Sequence, residues 1–331
     1  MAKRRLSDQQ KRRIAKNKTQ HLDTPVSIDP DAQQVHGTIV IHYGRQVVVE
    51  TAQHQQHTCK LRQNLGDIAC GDRVVFQPGD DTEHGVVIAI DERDNLLQKT
   101  GFAGKAKPVA ANVGQVVIVC AVEPAPNTYL IDRYLVAIEN LPARALLVVN
   151  KIDLGDDTHQ AIIDNIDTTY RNIGYTVVHT SASTDYGLDE LRQQLRNTTS
   201  IFVGLSGVGK SSLINNQIPD TNARVAEVSE ITREGRHTTT VSTMYHLPGG
   251  GELIDSPGVR DFTPRIDNKN EIMQGFVELR RFRGKCKFAN CSHSHEPGCA
   301  ILDAVNSGII SRQRFESYKH MLSDLEEKNK D

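Results

Sequence analysis

The sequence predicts a multidomain α/β protein: a small N-terminal β-barrel, a doubly wound α/β domain, and a short helical unit at the C-terminal end. Three observations predict it. From Val35 to about Leu97, short β-type runs are broken by turn residues. Continuous apolar runs then alternate with helical periodicity as far as residue 263, as in a parallel sheet buried on both faces. Beyond Pro264 the strand pattern stops, and two amphipathic stretches flank a cluster of cysteines and histidines.

Composition narrows the classes. At 331 residues the chain exceeds one average domain, and 38% hydrophobic with 24% charged residues describes a soluble globular protein. No apolar run approaches the roughly 18–20 residues that span a bilayer, so no membrane partner is expected. The N-terminal basic residues have no apolar stretch behind them, which excludes a secretory signal and leaves the cytoplasm as the expected compartment. No heptad or large apolar stripe suggests self-association, so a monomer is expected. Cys59, Cys70 and Cys120 are scattered, whereas Cys286, Cys291 and Cys299 cluster beside histidines, which reads as metal binding more readily than as disulfides.

The formal net charge of −2 conceals a strongly basic arm. Lys3, Arg4, Arg5, Lys11, Arg12, Arg13, Lys16 and Lys18 stand against Asp8 alone within the first twenty residues. Residues 1–33 have no hydrophobic period, so this arm is expected to be disordered on its own and to neutralise phosphates on nucleic acid. A merely solubilising tail is the alternative.

Residues 34–98 hold five expected strands. Gly37–Ile41 and Gln46–Glu50 look like a hairpin, and Cys59–Arg62, Arg73–Gln77 and Val86–Ile90 follow, with Gly66-Asp67, Gly71-Asp72 and Pro78-Gly79 as turns. Five short strands in about sixty residues suit an OB-fold, a barrel that often binds oligonucleotides or can serve as a spacer. Lys99–Pro108 reads as a linker. The α/β domain, 105–263, has strands expected at Gln115–Val122, Ala145–Asn150, Tyr175–Thr180 and Ser200–Val203. Its helices are expected around Leu130–Ile138, Thr158–Asn172, Leu188–Arg196 and Lys210–Asn216. In the last unit, 264–331, Glu271–Phe282 and Ile310–Glu327 read as helices; it is too small for a large core, so a structural metal makes physical sense there.

The chemistry lies in five motifs. Gly204-Leu205-Ser206-Gly207-Val208-Gly209-Lys210-Ser211, with Ser212 behind it, matches the phosphate-loop pattern between a strand and a helix. Glycines there let backbone N–H groups turn inward on phosphates at a helix N-terminus; Lys210 is expected on the outer phosphates and the Ser211 hydroxyl on Mg²⁺. Asn150-Lys151-Ile152-Asp153 follows a buried strand. An aspartate carboxylate accepts from guanine N1–H and its exocyclic amino group, which adenine cannot offer, so Asp153 selects guanine. Asn150 is expected to tie this loop to the phosphate loop, and the Lys151 stem to cover the base. Within Thr180-Ser181-Ala182, a backbone N–H near Ala182 is placed to meet guanine O6. Asp255-Ser256-Pro257-Gly258 reads as a switch in which Asp255 holds Mg²⁺ and the Gly258 N–H senses the γ-phosphate; a plain strand-ending turn is the alternative.

In Gly235-Arg236-His237-Thr238-Thr239-Thr240 a threonine can complete the Mg²⁺ shell, Thr239 being favoured with the register open by one. The residue after Asp255–Gly258 is Val259, which cannot orient water by hydrogen bonding, so His237 is the candidate for that role. A loop histidine or an RNA contact are its alternatives. These motifs together describe a GTP hydrolase using Mg²⁺ with GTP, whose motif order is circularly permuted: the base loop precedes the phosphate loop. Finally, Cys286-x₄-Cys291-x-His293-x₅-Cys299 offers a complete tetrahedral shell for one structural zinc, with His295 as a competing ligand.

With these residues assembled, the chain resembles the RsgA (YjeQ) family of circularly permuted GTPases dependent on the small ribosomal subunit. The resemblance covers nearly the whole length. It rests on Asn150–Asp153, Gly204–Ser212, His237–Thr240 and Asp255–Gly258 in that order, with Cys286, Cys291, His293 and Cys299 behind. It implies an OB-fold, a permuted P-loop GTPase domain and a C-terminal helical zinc-binding domain. It also implies binding to the small ribosomal subunit and its rRNA, GTP hydrolysis to GDP stimulated by that subunit, and a role late in its maturation. The family's water-orienting histidine falls on His237 and its four zinc ligands match. Because Asp255 is followed almost at once by the C-terminal unit, nucleotide state is expected to reorient that unit against RNA. The competing readings are an RNA-binding module that uses GTP only for conformational control, and a translation factor of ordinary motif order, against which the permutation argues.

Overall fold

The computed structural model describes residues 33–44, 46–79, 84–101, 106–218, 241–256 and 264–328. Five strands come first among the described residues: β1 (Val35–Tyr43), β2 (Gln46–Glu50), β3 (Gln56–Leu61), β4 (Arg73–Gln77) and β5 (Gly85–Ile90). β1 pairs antiparallel with β2 and β4, β2 with β3 and β4 with β5, while β3 and β5 run parallel. The sheet thus closes on itself in the order 1-2-3-5-4-1, the OB-type barrel expected from the strand count. The strand period of two sorts the side chains. Val47 and Val49 point into the barrel with Ile39, Val74, Phe76 and Val87, and Val48 points outward into a second core.

The described ends of the stretch expected as a linker are strands. β6 (Leu96–Thr100) and β7 (Ala106–Ala111) form an antiparallel pair with a register shift at Leu97/Gln98, beside the Gln98–Pro108 pairing. Both strands are edges of a two-stranded sheet, where a proline that cannot donate is tolerated, so the Gly/Lys/Pro composition misled. The pair docks on the barrel at Gly71, whose added Cβ would lie 2.3 Å from the Ala111 carbonyl oxygen.

The central sheet contains β8 (Gln115–Ala121), β9 (Arg144–Asn150), β10 (Thr176–His179), β11 (Thr199–Val203), β12 (Ser242–His246) and β13 (Glu252–Asp255). Five of these strands run parallel in the order β10-β9-β8-β11-β13, and β12 lies antiparallel beside β13. The apolar run of β8 is divided by face. Val116, Ile118 and Cys120 pack beneath α1 (Thr128–Glu139) and α2 (Asp157–Ile166), in a core shared with the barrel's outer face. Val117, Val119 and Ala121 pack beneath α3 (Leu188–Leu195) and α4 (Lys210–Gln217). Each fully buried aliphatic side chain contributes about 1.5–3 kcal/mol, so covering both faces is what a continuous apolar strand requires. Asn127 starts α1 by accepting from the Leu130 N–H at 3.0 Å. The single helix expected over Thr158–Asn172 is α2 followed by a π-helical turn, Asp167–Arg171.

β12 also pairs with β1, through Ile41↔Thr243 and His42↔Ser242, so barrel and central sheet share a hydrogen-bonded seam. The C-terminal unit consists of α5 (Lys269–Gly275), α6 (Val277–Arg280), α7 (Ala300–Asn306) and α8 (Arg312–Lys328). The helix expected over Glu271–Phe282 breaks at Phe276, with φ −91° and ψ 90°. Gly275 passes so close to α1 that a Cβ there would lie 2.4 Å from Val136 Cα, and the break turns Phe276 fully into the core. Val136 belongs to that same core. Across the contact, the wholly buried Arg314 guanidinium meets Asp132 of α1 at 2.6 Å and Glu278 of α6 at 2.8 Å. Among the described residues no helix is long and apolar enough to cross a membrane.

Candidate nucleotide-binding site and metal centre

β11 delivers the glycine-rich loop into α4. Two of its positions admit only glycine. Gly204 has φ +138° and an added Cβ would lie 2.1 Å from the Val119 carbonyl oxygen; Gly209 has φ +92° and its Cβ would meet Asn150 Nδ2 at 2.3 Å. No side chain caps the start of α4, so its N-terminus faces the loop with the polarity that favours an anion. Val208 is buried in the core beneath α4, while Ser206, Gly207, Ser211 and Ser212 are exposed at the mouth. The Lys210 ammonium is folded back onto the carbonyl oxygens of Gly204 and Leu205, at 2.7 and 2.5 Å. Phosphate oxygens would take over those hydrogen bonds with a full opposite charge, so the loop can hold a polyphosphate.

Asn150, at the end of β9, joins three loops. Its Nδ2 donates to the Val208 carbonyl oxygen at 2.9 Å, and its Oδ1 accepts from the Thr180 hydroxyl at 3.1 Å and the Ala182 N–H at 3.3 Å. The Ala182 N–H expected on guanine O6 is therefore shared with Asn150, through a long bond that the base would compete for. Lys151 takes the left-handed region at φ +63° and sends its Nζ to the Glu123 carbonyl oxygen at 2.9 Å. That draws its stem across the mouth toward the phosphate loop. Ile152 and Asp153 begin a 3₁₀ turn, Ile152–Leu154. Hydrogen bonds from Ser181 and Ser183 hold the exposed Asp153 carboxyl below its ordinary range, and the Ser183 contact measures 2.8 Å. The acceptor thus stays anionic at neutral pH and is aimed by two hydroxyls. Ser183 and the Glu123 carbonyl are the parts that sequence reasoning missed; the only local signal was a second serine two positions after Ser181.

Asp255 ends β13, paired with Thr243 of β12 and two strands from β8. The residues expected to complete this corner, His237, Thr238, Thr239, Thr240 and Gly258, lie outside the described residues. What is described has one geometry: the phosphate loop, the base loop, Ser181-Ala182 and Asp255 all leave the carboxyl edges of neighbouring parallel strands. In open α/β sheets that edge is where ligands bind. Ser211 at the start of α4 and Asp255 on the neighbouring strand offer hard oxygen donors, the set that suits Mg²⁺.

The second site lies between α6 and α7. Cys286 Sγ is 3.5 Å from His293 Nδ1 and 3.8 Å from Cys299 Sγ, and His293 Nδ1 is 3.4 Å from Cys299 Sγ; Cys291 completes a group within 4.8 Å of one another. A tetrahedral zinc with ordinary Zn–S and Zn–N bonds has edges of about 3.8 Å between sulfurs and about 3.6 Å from sulfur to nitrogen. The residues fit that ion. His293 reaches its place with φ +60°, and Cys299 also caps α7, accepting from the Leu302 N–H at 3.5 Å. His295, the competing candidate, is not part of the group.

The comparisons with known proteins agree with this geometry. The family model described as RsgA GTPase matches residues 90–264. A curated "Small ribosomal subunit biogenesis GTPase RsgA" from Saccharophagus degradans is 43% identical, over 99% of this chain and 99% of its own length. The crystal structure of YjeQ from Thermotoga maritima superposes with a TM-score of 0.72 at 33% identity, covering 88% of this chain and 99% of that one. That of YloQ, described as a circularly permuted GTPase, gives 0.69 at 27% identity over 91% and 99%. With its base loop preceding its phosphate loop in the chain but flanking it in the sheet, this protein is a member of the RsgA GTPase family.

Proposed function

We propose that this protein hydrolyses GTP to GDP and phosphate as a factor in small ribosomal subunit biogenesis, and that the subunit stimulates the reaction. The observation that carries this is the convergence of the glycine-rich loop, the Asn150–Asp153 loop and Asp255 on one sheet edge in permuted chain order. The curated relative's description as a small ribosomal subunit biogenesis GTPase supplies the process.

In the reading we favour, Lys210 leaves the Gly204 and Leu205 carbonyls for the outer phosphates, and the α4 N-terminus cradles them. Asp153 and Ala182 read the guanine while the Lys151 stem covers it. Ser211, Asp255 and one threonine of 238–240, Thr239 first, hold the Mg²⁺, which neutralises charge on the phosphates. His237 orients the attacking water and the Gly258 N–H senses the γ-phosphate. A hydrophobic Val259 beside that switch leaves the unassisted reaction slow. Ordering by the subunit then adds on the order of 10³- to 10⁵-fold, about 4–7 kcal/mol. Zinc on Cys286, Cys291, His293 and Cys299 has a structural role, because four protein ligands leave no open position. The basic arm and the barrel, a fold that often binds oligonucleotides, suit rRNA as the contacted surface; the protein acts as a monomer in the cytoplasm.

GTP turnover by the purified protein, alone and with small subunits, large subunits serving as control, tests this. Stimulation by the small subunit only is expected, lost in His237→Ala while GTP affinity is kept. Tight GTP binding without stimulation by either subunit would favour a nucleotide-controlled RNA-binding protein instead.

A further inference from the structure

The seam between barrel and central sheet carries a second group of ligand-type side chains. Glu50 ends β2, His54 lies in the turn that follows, and His246 ends β12. Glu50 Oε1 is 3.2 Å from His54 Nδ1 and 2.6 Å from His246 Nε2, and the three ligand atoms lie within 4.8 Å of one another. The two imidazoles meet edge to face, 5.1 Å between centroids. Glu50 is only 8% exposed, and its other oxygen accepts from Gln56 Nε2 at 3.1 Å. That bond fixes the carboxylate as an outer-shell partner fixes a metal ligand. Burial alone would raise its pKa, but hydrogen bonds from Gln56, His246 and His54 outweigh burial and hold it below the ordinary value. Both histidines are largely open to solvent, so an ion can reach the group from outside.

We propose that Glu50, His54 and His246 bind a divalent transition-metal ion, Zn²⁺ first, which ties the barrel to β12. Two imidazole nitrogens with one carboxylate oxygen form a donor set suited to Zn²⁺, Co²⁺ or Ni²⁺, whereas Mg²⁺ seeks oxygen alone. With bonds of about 2.0–2.1 Å, a tetrahedral site has edges of about 3.3 Å, which Glu50 and His54 already match. The His246 contact is a hydrogen bond, and its exposed ring withdraws by about 0.7 Å to reach the same edge. Three protein ligands leave the fourth position to water. The ligands are 196 residues apart at their extremes and come from the barrel and the central sheet, so the ion cross-links two domains at the strand that follows residues 219–240.

The test is calorimetric titration of the tag-free, full-length protein with Zn²⁺. The protein is first loaded with a single equivalent of zinc, which the three-thiolate cysteine site takes ahead of the second group, and the buffer contains millimolar Mg²⁺. One further site per chain is expected in the wild type. His54→Ala removes a ligand from an exposed turn without threatening the core, and is expected to weaken that site by more than the roughly 10- to 100-fold typical of losing an outer-shell partner. His246→Gln is expected to do the same. A crystal soaked in Zn²⁺ and measured at the zinc edge should show an anomalous peak among the three side chains. No further site in the wild type, or one that both variants retain, overturns the proposal and leaves a hydrogen-bonded clasp without an ion.

Discussion

At the residue scale, Asn150 does the most with the fewest atoms. One amide closes the base loop onto Val208, Thr180 and Ala182, so three loops from three strands share a single hub. In the proposed role, Asp153 would work by complementarity, accepting from two donors that only guanine presents together. Asp153→Asn should reverse one of those bonds: its amide would donate to a carbonyl at the base C2 position, as in xanthine, and still accept from N1–H. GTP affinity is expected to fall by on the order of 10²- to 10⁴-fold, and xanthosine triphosphate to bind in its place. Competition titrations with the two nucleotides measure this, and an unchanged preference for GTP would remove Asp153 from the base site. Asn150 and Asp153 are legible in sequence because their chemistry is local to a four-residue motif. Ser183, which orients Asp153 across 30 positions, is not, because a hydroxyl in a turn carries no signature of its target.

At the element scale, α8 is held against α1 by charge in a buried interface. Burial works against the Arg314 charge, but Asp132 and Glu278 outweigh it, and burial raises the Asp132 carboxyl above its ordinary range. The guanidinium also lies 4.4 Å from the Phe276 ring centroid, beside the break between α5 and α6. Arg314→Met would leave two buried carboxylates with no cation, at a cost of about 3–5 kcal/mol. Chemical denaturation should show that loss. Replacing Arg314, Asp132 and Glu278 together by apolar residues of similar volume should recover most of it. If the single variant is as stable as wild type, the triad is not what joins these helices. The helix over Ile310–Glu327 was legible from its periodicity, whereas the break at Phe276 was not. It answers to Val136, a residue of another domain.

At the scale of the whole molecule, the docking of α5 and α8 on α1 bears on the expected reorientation of the C-terminal unit with nucleotide state. Covalent order alone places the C-terminal unit directly behind Asp255 and suggests that it swings as the switch moves. The shared core through Val136 and the buried Arg314 resist an independent swing. The sheet itself makes a second connection: β12, paired with β13, is also hydrogen-bonded to β1 of the barrel. The cysteine cluster stabilises the C-terminal unit locally, since Cys286, Cys291 and Cys299 pack on its core. Chelation, or Cys291→Ser, is expected to release zinc and melt residues 286–306 first, seen as lost helical circular dichroism. Guanine-nucleotide affinity should persist, because none of the phosphate or base loops lies in that unit. Loss of nucleotide binding in step with zinc would show instead that the two units fold as one.

The sequence by itself determined the fold class, the glycine-rich loop, the Asn150–Asp153 motif and the Cys286, Cys291, His293 and Cys299 cluster, because each is written as local periodicity or short spacing. Only the tertiary structure decided what depends on distant segments meeting. The supposed linker became the β6–β7 pair once Gly71 offered it a surface. The amphipathic stretch behind Lys269 became two helices because α1 leaves no room for a side chain at position 275. Glu50, His54 and His246 became neighbours because β12 is close enough to the barrel to pair with β1. Pairing across domains is set by packing complementarity, which no single window of sequence contains.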